Sequence, residues 1–259
     1  MADNNKIAVA GATGRLGRHV VDVLRERGFD VVPFSRSNGV DIESGAGLDE
    51  ALTGVRVVID ASSTPSPDKD IATEFFTAAA GNLHAAGQRA GVESIVAVSI
   101  IGIDGTVGGY NAAKLAHERA LLEGPLPVRI LRAAQFHELV ELMLRWGTQG
   151  DVAYLPKQRT QLVAARTVAE ALVDLATGPA PTTPDGVFPE IAGPQVETMA
   201  GAAALLAAEL GAPAEVREVS DENNPDRAVY EDGGLLPGPH AVLAGPTFAE
   251  WLKATYSAE

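Results

Sequence analysis

The sequence predicts an α/β fold built on a doubly wound parallel sheet, followed by a small C-terminal annex. Three observations indicate this fold: apolar runs alternate with segments of helical periodicity, no hairpin turn joins consecutive runs, and glycines cluster where the first run meets the first helix. Because parallel strands need a crossover connection, and because such crossovers are right-handed, we expect helices on both faces of the sheet.

The elements are predicted in order along the chain. In the first half, strands are expected at KIAVAGA, FDVVPFSR, VRVVIDASS, VESIVAVSIIGI and PVRILRAAQF, with helices at GRLGRHVVDVLRERG, GLDEALTG, DIATEFFTAAAGNLHAAGQRAG and NAAKLAHERALLEG. In the second half, VAARTVAEALVDLATG, MAGAAALLAAELGA and TFAEWLKATY are predicted helices, the last with Thr247 at its N-cap. The Pro-rich GPAPTTPDG is a predicted surface loop. We place a soft boundary near residue 134.

The composition argues against several classes of protein. The 259 residues carry a formal net charge of -14, which disfavours binding to nucleic acid or to anionic membrane surfaces. The chain has no cysteine, and its five histidines are scattered without ligand spacing, so we expect neither disulfides nor a metal site. With no secretory signal and no apolar run of about 20 residues, the expected location is the cytoplasm.

Three glycines, Gly11, Gly14 and Gly17, mark the first strand-to-helix junction with the spacing GxxGxxG. The first permits a tight turn, the second lets backbone approach a pyrophosphate, and the third allows close packing of helix on strand. The helix N-terminus adds free N–H groups and a partial positive charge. A tight turn without a ligand is the alternative, but this junction opens an alternating chain, so we predict a dinucleotide site.

The end of the second strand predicts which dinucleotide is bound. An acidic residue there would bond the ribose 2′-hydroxyl of NAD, whereas this chain has Ser35, Arg36 and Ser37. A guanidinium flanked by hydroxyls suits the 2′-phosphate of NADP, and Arg15 in the glycine turn could add a second cation. A solvated charge is the alternative for Arg36. NADP is therefore the predicted cofactor.

Two further segments are predicted to line the same site. Asp41 and Ile42 follow the second strand, where side chains can meet the adenine amine and ring face. Ala61, Ser62 and Ser63 end the third strand at the carboxyl edge of the sheet, where small residues leave room for the cofactor. Ordinary turn residues are the alternative at each position.

Tyr110 and Lys114 stand four residues apart in a predicted helix, and therefore on one face. A lysine ammonium beside a phenol lowers the phenol's pKa from about 10, which makes tyrosine a usable general acid or base for a carbonyl and alcohol pair. The same lysine can bond the ribose hydroxyls next to the nicotinamide. A surface tyrosine over a lysine stem is the alternative.

The motif GATGRLG, Arg36 at the strand end, Tyr110-x-x-x-Lys114 and ILRAAQFHE together resemble the short-chain dehydrogenase/reductase superfamily, and more narrowly its atypical, NmrA-like branch. IAGP and LLPGPHAVLAGPTFAEWL extend the resemblance over nearly the whole chain. The resemblance implies a Rossmann-like fold, with Tyr110 as the catalytic acid/base and Lys114 as its partner. It also implies cofactor contacts in two groups: Gly11, Thr13, Gly14, Arg15, Leu16 and Gly17 along the phosphates, and Ala133, Ala134 and Phe136 beside the nicotinamide.

One departure from the superfamily pattern bears on turnover. The superfamily usually has a Ser or Thr just after the fourth strand, where it bonds the substrate carbonyl. In VAVSIIGID, Ser99 falls within the strand, and Ile100 and Ile101 occupy the expected place. The branch also includes proteins that resemble redox sensors and bind NADP without reducing a substrate.

Two functions follow. The first is an NADP-dependent oxidoreductase that transfers hydride between NADPH and a carbonyl or quinone-like small molecule. Residues 1–134 are then the NADP-binding Rossmann domain, and residues 135–259 form a smaller substrate-binding region able to return to the main sheet. The second is a non-catalytic NADP-binding regulator of the NmrA-like type, which the absent Ser or Thr supports and the Tyr110–Lys114 pair opposes. The substrate and the oligomeric state stay open.

Overall fold

A computed structural model describes residues 5–179 and 186–256 of the chain. Its strands are β1 (Lys6–Ala10), β2 (Asp30–Phe34), β3 (Val57–Asp60), β4 (Ser94–Ile100), β5 (Val128–Ala133), β6 (Thr148–Gln149), β7 (Val152–Pro156), β8 (Arg159–Thr160), β9 (Glu190–Ala192), β10 (Glu197–Thr198), β11 (Glu215–Val219) and β12 (Val242–Leu243). Its α-helices are α1 (Gly17–Glu26), α2 (Leu48–Ala51), α3 (Lys69–Ala90), α4 (Gly109–Leu122), α5 (Leu139–Gly147), α6 (Ala165–Thr177), α7 (Met199–Leu210), α8 (Arg227–Glu231) and α9 (Phe248–Tyr256).

These elements form two compact units. The first contains the described residues up to 99, residues 108–131 and the described part of 168–188. The second contains residues 100–107, residues 132–167 and the described residues from 189 onward. The domains 1–134 and 135–259 stay a prediction about where cofactor and substrate bind.

The first unit contains the central strands of the parallel sheet, in the order β5, β4, β3, β1 and β2. Within β1, Ile7 pairs with Val31 of β2 on one side and with Val57 of β3 on the other. The segment from Ile7 to Ala10 is fully buried, as expected for a parallel strand covered on both faces. Because β2 and β3 lie on opposite sides of β1, the carboxyl ends of β1 and β3 form the switch point where such sheets bind ligands.

Helices of this unit have clear start and stop signals. The Asp68 carboxylate accepts hydrogen bonds from the N–H groups of Asp70 (2.9 Å) and Ile71 (3.0 Å) at the start of α3. The helix ends at Gly91, whose φ of +76° favours glycine. α3 packs along α4, and buried residues such as Phe76 from this pair of helices join the main apolar core.

The second unit has its own core. The end of β5 pairs with β9, and β9 pairs with β12. A separate sheet has the order β11, β7 and β6, with β7 parallel to β11 and antiparallel to β6. Side chains of α5, β7, α7 and α9 form the apolar core, including Leu144, Leu155 and Phe248. Thr247 caps α9 by accepting the N–H of Glu250 at 3.2 Å, which confirms the predicted N-cap.

The predicted fold class is confirmed, because the structure has a mostly parallel central sheet with flanking helices in a Rossmann-like arrangement. The strands and helices predicted up to β5 all form. Most of the Pro-rich segment that the sequence predicts as a loop lies outside the described residues. Within the ranges described, the structure contains no helix with the length and apolar character needed to span a membrane.

Candidate functional site

The turn between β1 and α1 is shaped by glycine. Gly11 has a φ of +70°, and a Cβ there would lie 2.7 Å from the carbonyl oxygen of Ala61, so both conformation and space require glycine. A Cβ on Gly17 would collide with the Gly11 carbonyl. Gly14 is exposed, and its nearest neighbour to a Cβ is the same carbonyl at 3.1 Å. Gly11 and Gly17 therefore keep the turn compact, while Gly14 leaves its outer face open.

The same turn leaves backbone donors unused. Within residues 5–179 and 186–256, four of its N–H groups have no protein acceptor, namely those of Thr13, Arg15, Leu16 and Gly17. The first turn of α1 has no acidic residue, and no side chain caps the helix. Free amides and the positive end of a helix dipole suit an anion. The geometry thus fits the predicted pyrophosphate site.

A shallow depression of about 390 Å³ adjoins this turn. Thr13, Arg18, Ser35 and Ser37 contribute to its lining, and the two serine hydroxyl oxygens are 2.7 Å apart. Arg18 belongs to the first turn of α1, and the sequence reasoning missed it. Its position one residue after Gly17 was the available signal in the sequence. Only the structure shows that its side chain lines the same depression as the two serines.

Asn38 holds the segment that follows β2. Its side-chain oxygen accepts the N–H of Ser35 at 2.7 Å, and its amide nitrogen donates to the carbonyl of Pro33 at 2.8 Å. Arg36 lies in the resulting 3₁₀ turn and is exposed. The described residues offer no carboxylate or carbonyl to the guanidinium groups of Arg15, Arg18 or Arg36. Of these three arginines only Arg18 lines the depression, together with Arg25 and the acidic Asp22.

Asp41 and Ile42 have local structural contacts. The Asp41 carboxylate accepts the N–H of Glu43 at 3.0 Å and the hydroxyl of Ser44 at 3.1 Å. Ile42 is buried and belongs to the main core of the first unit. Their contact with adenine stays a prediction.

The carboxyl end of β3 is shaped by Asp60, which the sequence reasoning missed. One carboxylate oxygen of this buried residue accepts the N–H of Ser62 at 2.9 Å, which forms a tight turn. Ala61 and Ser62 are buried, whereas Ser63 is exposed. A single acidic residue ending the apolar run VVID was the signal in the sequence.

Tyr110 meets Ser63 at this edge of the sheet. Its phenol oxygen is 2.8 Å from the Ser63 hydroxyl oxygen, and either group can donate. The ring stands edge-on to Phe76 at 5.6 Å between centroids. Burial raises the pKa of Tyr110, the Ser63 hydrogen bond lowers it, and the Asp60 charge raises it again, so that the net pKa lies above the usual value.

Lys114 has a different partner from the predicted one. Its Nζ lies 2.9 Å from Nδ1 of His117 and 4.5 Å from the centre of the Phe76 ring, and only 3% of the residue is exposed. Tyr110 and Lys114 are both in α4, four residues apart, but the ammonium of Lys114 is directed at His117 and Phe76 in the interior. The pKa of Tyr110 is raised by burial and by the Asp60 charge and lowered by the Ser63 hydrogen bond, so the action of Lys114 on the phenol stays a prediction.

Lys114, His117 and Asp60 form a buried polar cluster. Nε2 of His117 lies 3.1 Å from Oδ2 of Asp60, and its ring stacks on Phe76 at 4.7 Å. An ammonium can only donate, so Nδ1 of His117 accepts and Nε2 carries the proton. Nε2 lies close to Oδ2 of Asp60, but neither atom makes a hydrogen bond of good geometry among the described residues. The sequence contained this cluster as the spacing K-x-x-H together with the acid at the end of β3.

The pKa values of the cluster agree with one buried cation and one buried anion. Burial lowers the pKa of Lys114 to about 8, against the opposing charges of Asp60 and Glu118. Burial and the Lys114 charge keep the pKa of His117 below its usual value. Burial raises the pKa of Asp60, but its interactions with His117 and the Lys114 charge outweigh this and hold it well below the usual range.

Ser99 lies inside β4, as the sequence predicts, and its buried hydroxyl has no partner among the described residues. Ala133, Ala134 and Phe136 belong to the second unit. The Ala133 carbonyl accepts the N–H of Ile101, and Phe136 forms a bridge with Val163. Their place beside a nicotinamide stays a prediction.

The family is decided by the chain's match to known sequences. The model of the family described as NAD(P)H-binding matches residues 11–179, which is more than half of the chain. This chain belongs to the NAD(P)H-binding family. The predicted NAD(P)-binding family is thereby confirmed, while the short-chain dehydrogenase/reductase superfamily and its NmrA-like branch stay predictions. No curated protein matches the sequence.

Solved structures of this NAD(P)H-binding protein's fold include several with bound cofactor. The dTDP-4-dehydrorhamnose reductase of Bacillus anthracis in complex with NADP is 17% identical, with 98% of this chain and 99% of that chain covered and a TM-score of 0.72. The Bordetella bronchiseptica enzyme WbmH in complex with NAD+ is 17% identical, with 98% and 99% covered and a TM-score of 0.68.

A short-chain dehydrogenase/reductase superfamily protein from Agrobacterium tumefaciens with bound NAD is 18% identical, with 98% of this chain and 96% of that chain covered and a TM-score of 0.65. At such low identity these likenesses show the shared fold. The NAD(P)H-binding assignment itself rests on the family match over residues 11–179.

Proposed function

We propose that this NAD(P)H-binding protein is an NADP-dependent oxidoreductase that transfers hydride between NADPH and a carbonyl or quinone-like small molecule. The observation that carries the proposal is the β1–α1 turn, where unused amide donors adjoin a depression lined by Arg18 and two serine hydroxyls. An uncharged or acidic lining would favour NAD, because the two cofactors differ only in the 2′-phosphate.

The residues present fit the dinucleotide. The amides of the glycine turn would hold the pyrophosphate, since a side chain at Gly14 would occupy that open face. Arg36 and Arg18 would bind the 2′-phosphate, supported by the hydroxyls of Ser35 and Ser37. NADPH would supply the hydride in this site.

Tyr110 is the proposed proton donor. It is the second residue of α4, and its phenol contacts the exposed Ser63. Its oxygen can therefore reach a small molecule at the sheet edge. Its raised pKa keeps the phenol protonated near neutral pH, which is the form needed to protonate an alkoxide. Lys114 lies in the buried cluster, where its Nζ contacts His117 rather than the phenol.

The substrate class follows from this chemistry. A carbonyl group accepts a hydride at carbon and a proton at oxygen, which a protonated phenol can deliver. A quinone likewise accepts a hydride and a proton. The structurally similar dTDP-4-dehydrorhamnose reductase in complex with NADP supports the proposal of a reductase.

A second function is supported by specific observations. Lys114 is engaged with His117, and the hydroxyl of Ser99 is buried inside β4. A protein that lacks these two groups for catalysis would hold NADP and turn over no substrate, as a regulator would. The Ser63–Tyr110 contact favours the enzyme, because it retains an accessible proton donor.

One experiment separates the two functions. The purified protein is titrated with NADPH and NADH, and NADPH oxidation at 340 nm is then followed with panels of aldehydes, ketones and quinones. The enzyme predicts tight NADPH binding and turnover with at least one acceptor class. Tight NADPH binding without turnover across the panels would replace the enzyme by the regulator, and equal affinity for both cofactors would reject NADP specificity.

A further inference from the structure

The hydroxyls of Ser63 and Tyr110 form a pair at the carboxyl edge of the first unit's sheet, with their oxygens 2.8 Å apart. Ser63 is exposed, while Tyr110 is partly buried with its ring against Phe76. Ser63 enters the sequence interpretation only as a small residue beside the cofactor. Its contact with the phenol gives it a chemical role that depends on the proposed reductase function.

A tyrosine that donates its proton becomes a phenolate and needs a hydrogen-bond donor. Burial and the nearby Asp60 carboxylate both disfavour the negative charge on Tyr110. Lys114 shares the helix, but its Nζ contacts Nδ1 of His117 and the Phe76 ring. Ser63 is the hydrogen-bond partner of the phenol oxygen among the described residues.

We propose that Ser63 stabilises the Tyr110 phenolate and returns a proton to it from solvent, in the role that the sequence pattern assigns to Lys114. The turn fixed by Asp60 and the Ser62 N–H presents the hydroxyl at this place. In the resting protein the Ser63 oxygen also lies 3.3 Å from the Thr64 carbonyl, a longer contact than the one to Tyr110. The hydroxyl can therefore turn from that carbonyl to the phenolate.

The step balances with the reductant of the proposed function. The substrate carbon accepts a hydride from NADPH, and the carbonyl π pair moves onto oxygen. That oxygen takes the proton of Tyr110, whose O–H bond breaks and leaves its electron pair on the phenolate. The Ser63 hydroxyl passes its proton to the phenolate while it accepts a proton from water, which leaves as hydroxide. NADPH, the carbonyl compound and water thus give NADP+, the alcohol and hydroxide.

Ser63→Ala tests the role, with Ser63→Thr restoring the hydroxyl and Ser94→Ala as the matched control at the start of β4. With NADPH and a carbonyl acceptor, Ser63→Ala should lower kcat about 10- to 100-fold, which is the value of a hydrogen bond to a charged group. KM and NADPH affinity should stay unchanged, Ser63→Thr should recover most of the turnover, and Ser94→Ala should match the wild type.

A second readout uses the protein without cofactor. In NMR titrations of ring-labelled tyrosine, with Tyr110→Phe assigning the resonance, the phenol pKa of Tyr110 should rise in Ser63→Ala and stay unchanged in Ser94→Ala. Alcohol oxidation needs the phenolate. The pH at which its rate begins to rise should therefore be higher in Ser63→Ala than in the wild type.

Wild-type turnover and an unshifted phenol titration in Ser63→Ala would overturn the role of Ser63 and leave the reductase function standing. A shift of the phenol titration in Lys114→Met, with none in Ser63→Ala, would return the role to Lys114. If the wild type binds NADPH and reduces no acceptor, the proposed function fails, and the titration alone then decides whether Ser63 is the phenol's partner.

Discussion

Nζ of Lys114 lies 2.9 Å from Nδ1 of His117, three residues further along α4, and Nε2 of the same imidazole faces the Asp60 carboxylate at 3.1 Å. The lysine that the sequence assigns to the phenol thus belongs to a buried ion cluster that also shapes the end of β3. Removing one member of such a cluster leaves an uncompensated charge in the interior. The contribution of this cluster to the free energy of unfolding therefore depends on pH.

The pH dependence of stability should identify the buried ammonium. Between pH of about 8 and 10.5, the unfolded chain holds a proton on Lys114 that the folded protein has lost. The free energy of unfolding therefore rises with pH in this window, by about 1.4 kcal/mol for each pH unit. In urea unfolding at successive pH values, the free energy of unfolding of the wild type minus that of Lys114→Met should grow from pH 8 upward. A constant difference would mean that the ammonium is solvated.

His137 should make the protein sensitive to acid. Burial lowers its pKa from 6.5 to about 4 in the second unit, where its ring packs on Phe248 and Trp251. The unfolded chain binds the proton first, so stability contributed by the neutral ring is present above pH 6.5 and is lost as pH falls toward 4. His137→Phe keeps an aromatic ring without a titrating group. Its free energy of unfolding should therefore fall less than that of the wild type as the pH falls from 6.5 to about 4. Parallel acid transitions in both proteins would contradict the assignment.

Cofactor selectivity should depend on both guanidinium groups. Arg36→Ala should weaken NADPH binding by roughly tenfold or more, because a charge-assisted phosphate contact is worth about 1.5–3 kcal/mol, and NADH binding should barely change. Arg18→Ala should act in the same direction, because Arg18 lines the depression beside Ser35 and Ser37. Calorimetric titration of both cofactors checks this. Arg25→Ala, another residue of the lining, tests whether any nearby cation suffices.

The glycine turn should separate binding from folding. Gly14 is exposed and has a negative φ, and a Cβ there would need only a small shift of the Gly11 carbonyl 3.1 Å away, so Gly14→Val should keep the protein folded and abolish NADPH binding. Gly17→Val should instead lower the melting temperature sharply, because its Cβ collides with the Gly11 carbonyl. Thermal unfolding and NADPH titration of the two variants check both outcomes. Tight NADPH binding by folded Gly14→Val would place the phosphates elsewhere.

The phenol proton should matter for turnover and not for binding. Tyr110→Phe keeps the ring against Phe76 and removes the transferable proton. For a carbonyl acceptor, kcat should fall about 100- to 10,000-fold while NADPH affinity is little changed. With a quinone, hydride transfer can precede protonation by water, so the decisive test uses a carbonyl acceptor. A small fall of kcat in Tyr110→Phe with that acceptor would reject Tyr110 as the proton donor.

The sequence by itself determined the fold class, the strand-to-helix junction and the family. Gly11 and Gly17 are local requirements of a backbone that turns tightly and packs closely, so a short motif was sufficient to identify them. Buried parallel strands likewise have an apolar pattern that is visible in the sequence.

Only the tertiary structure decided which side chains meet at the site. Helical spacing placed Tyr110 and Lys114 on one face, but the direction of a long side chain depends on what surrounds it. The interior supplied Asp60 from β3, Phe76 from α3 and His117 from α4, and their charge and ring face drew the ammonium away from the phenol. Asp60 and Phe76 are distant from Lys114 in sequence, so no local pattern could predict that Ser63 would be the group beside Tyr110.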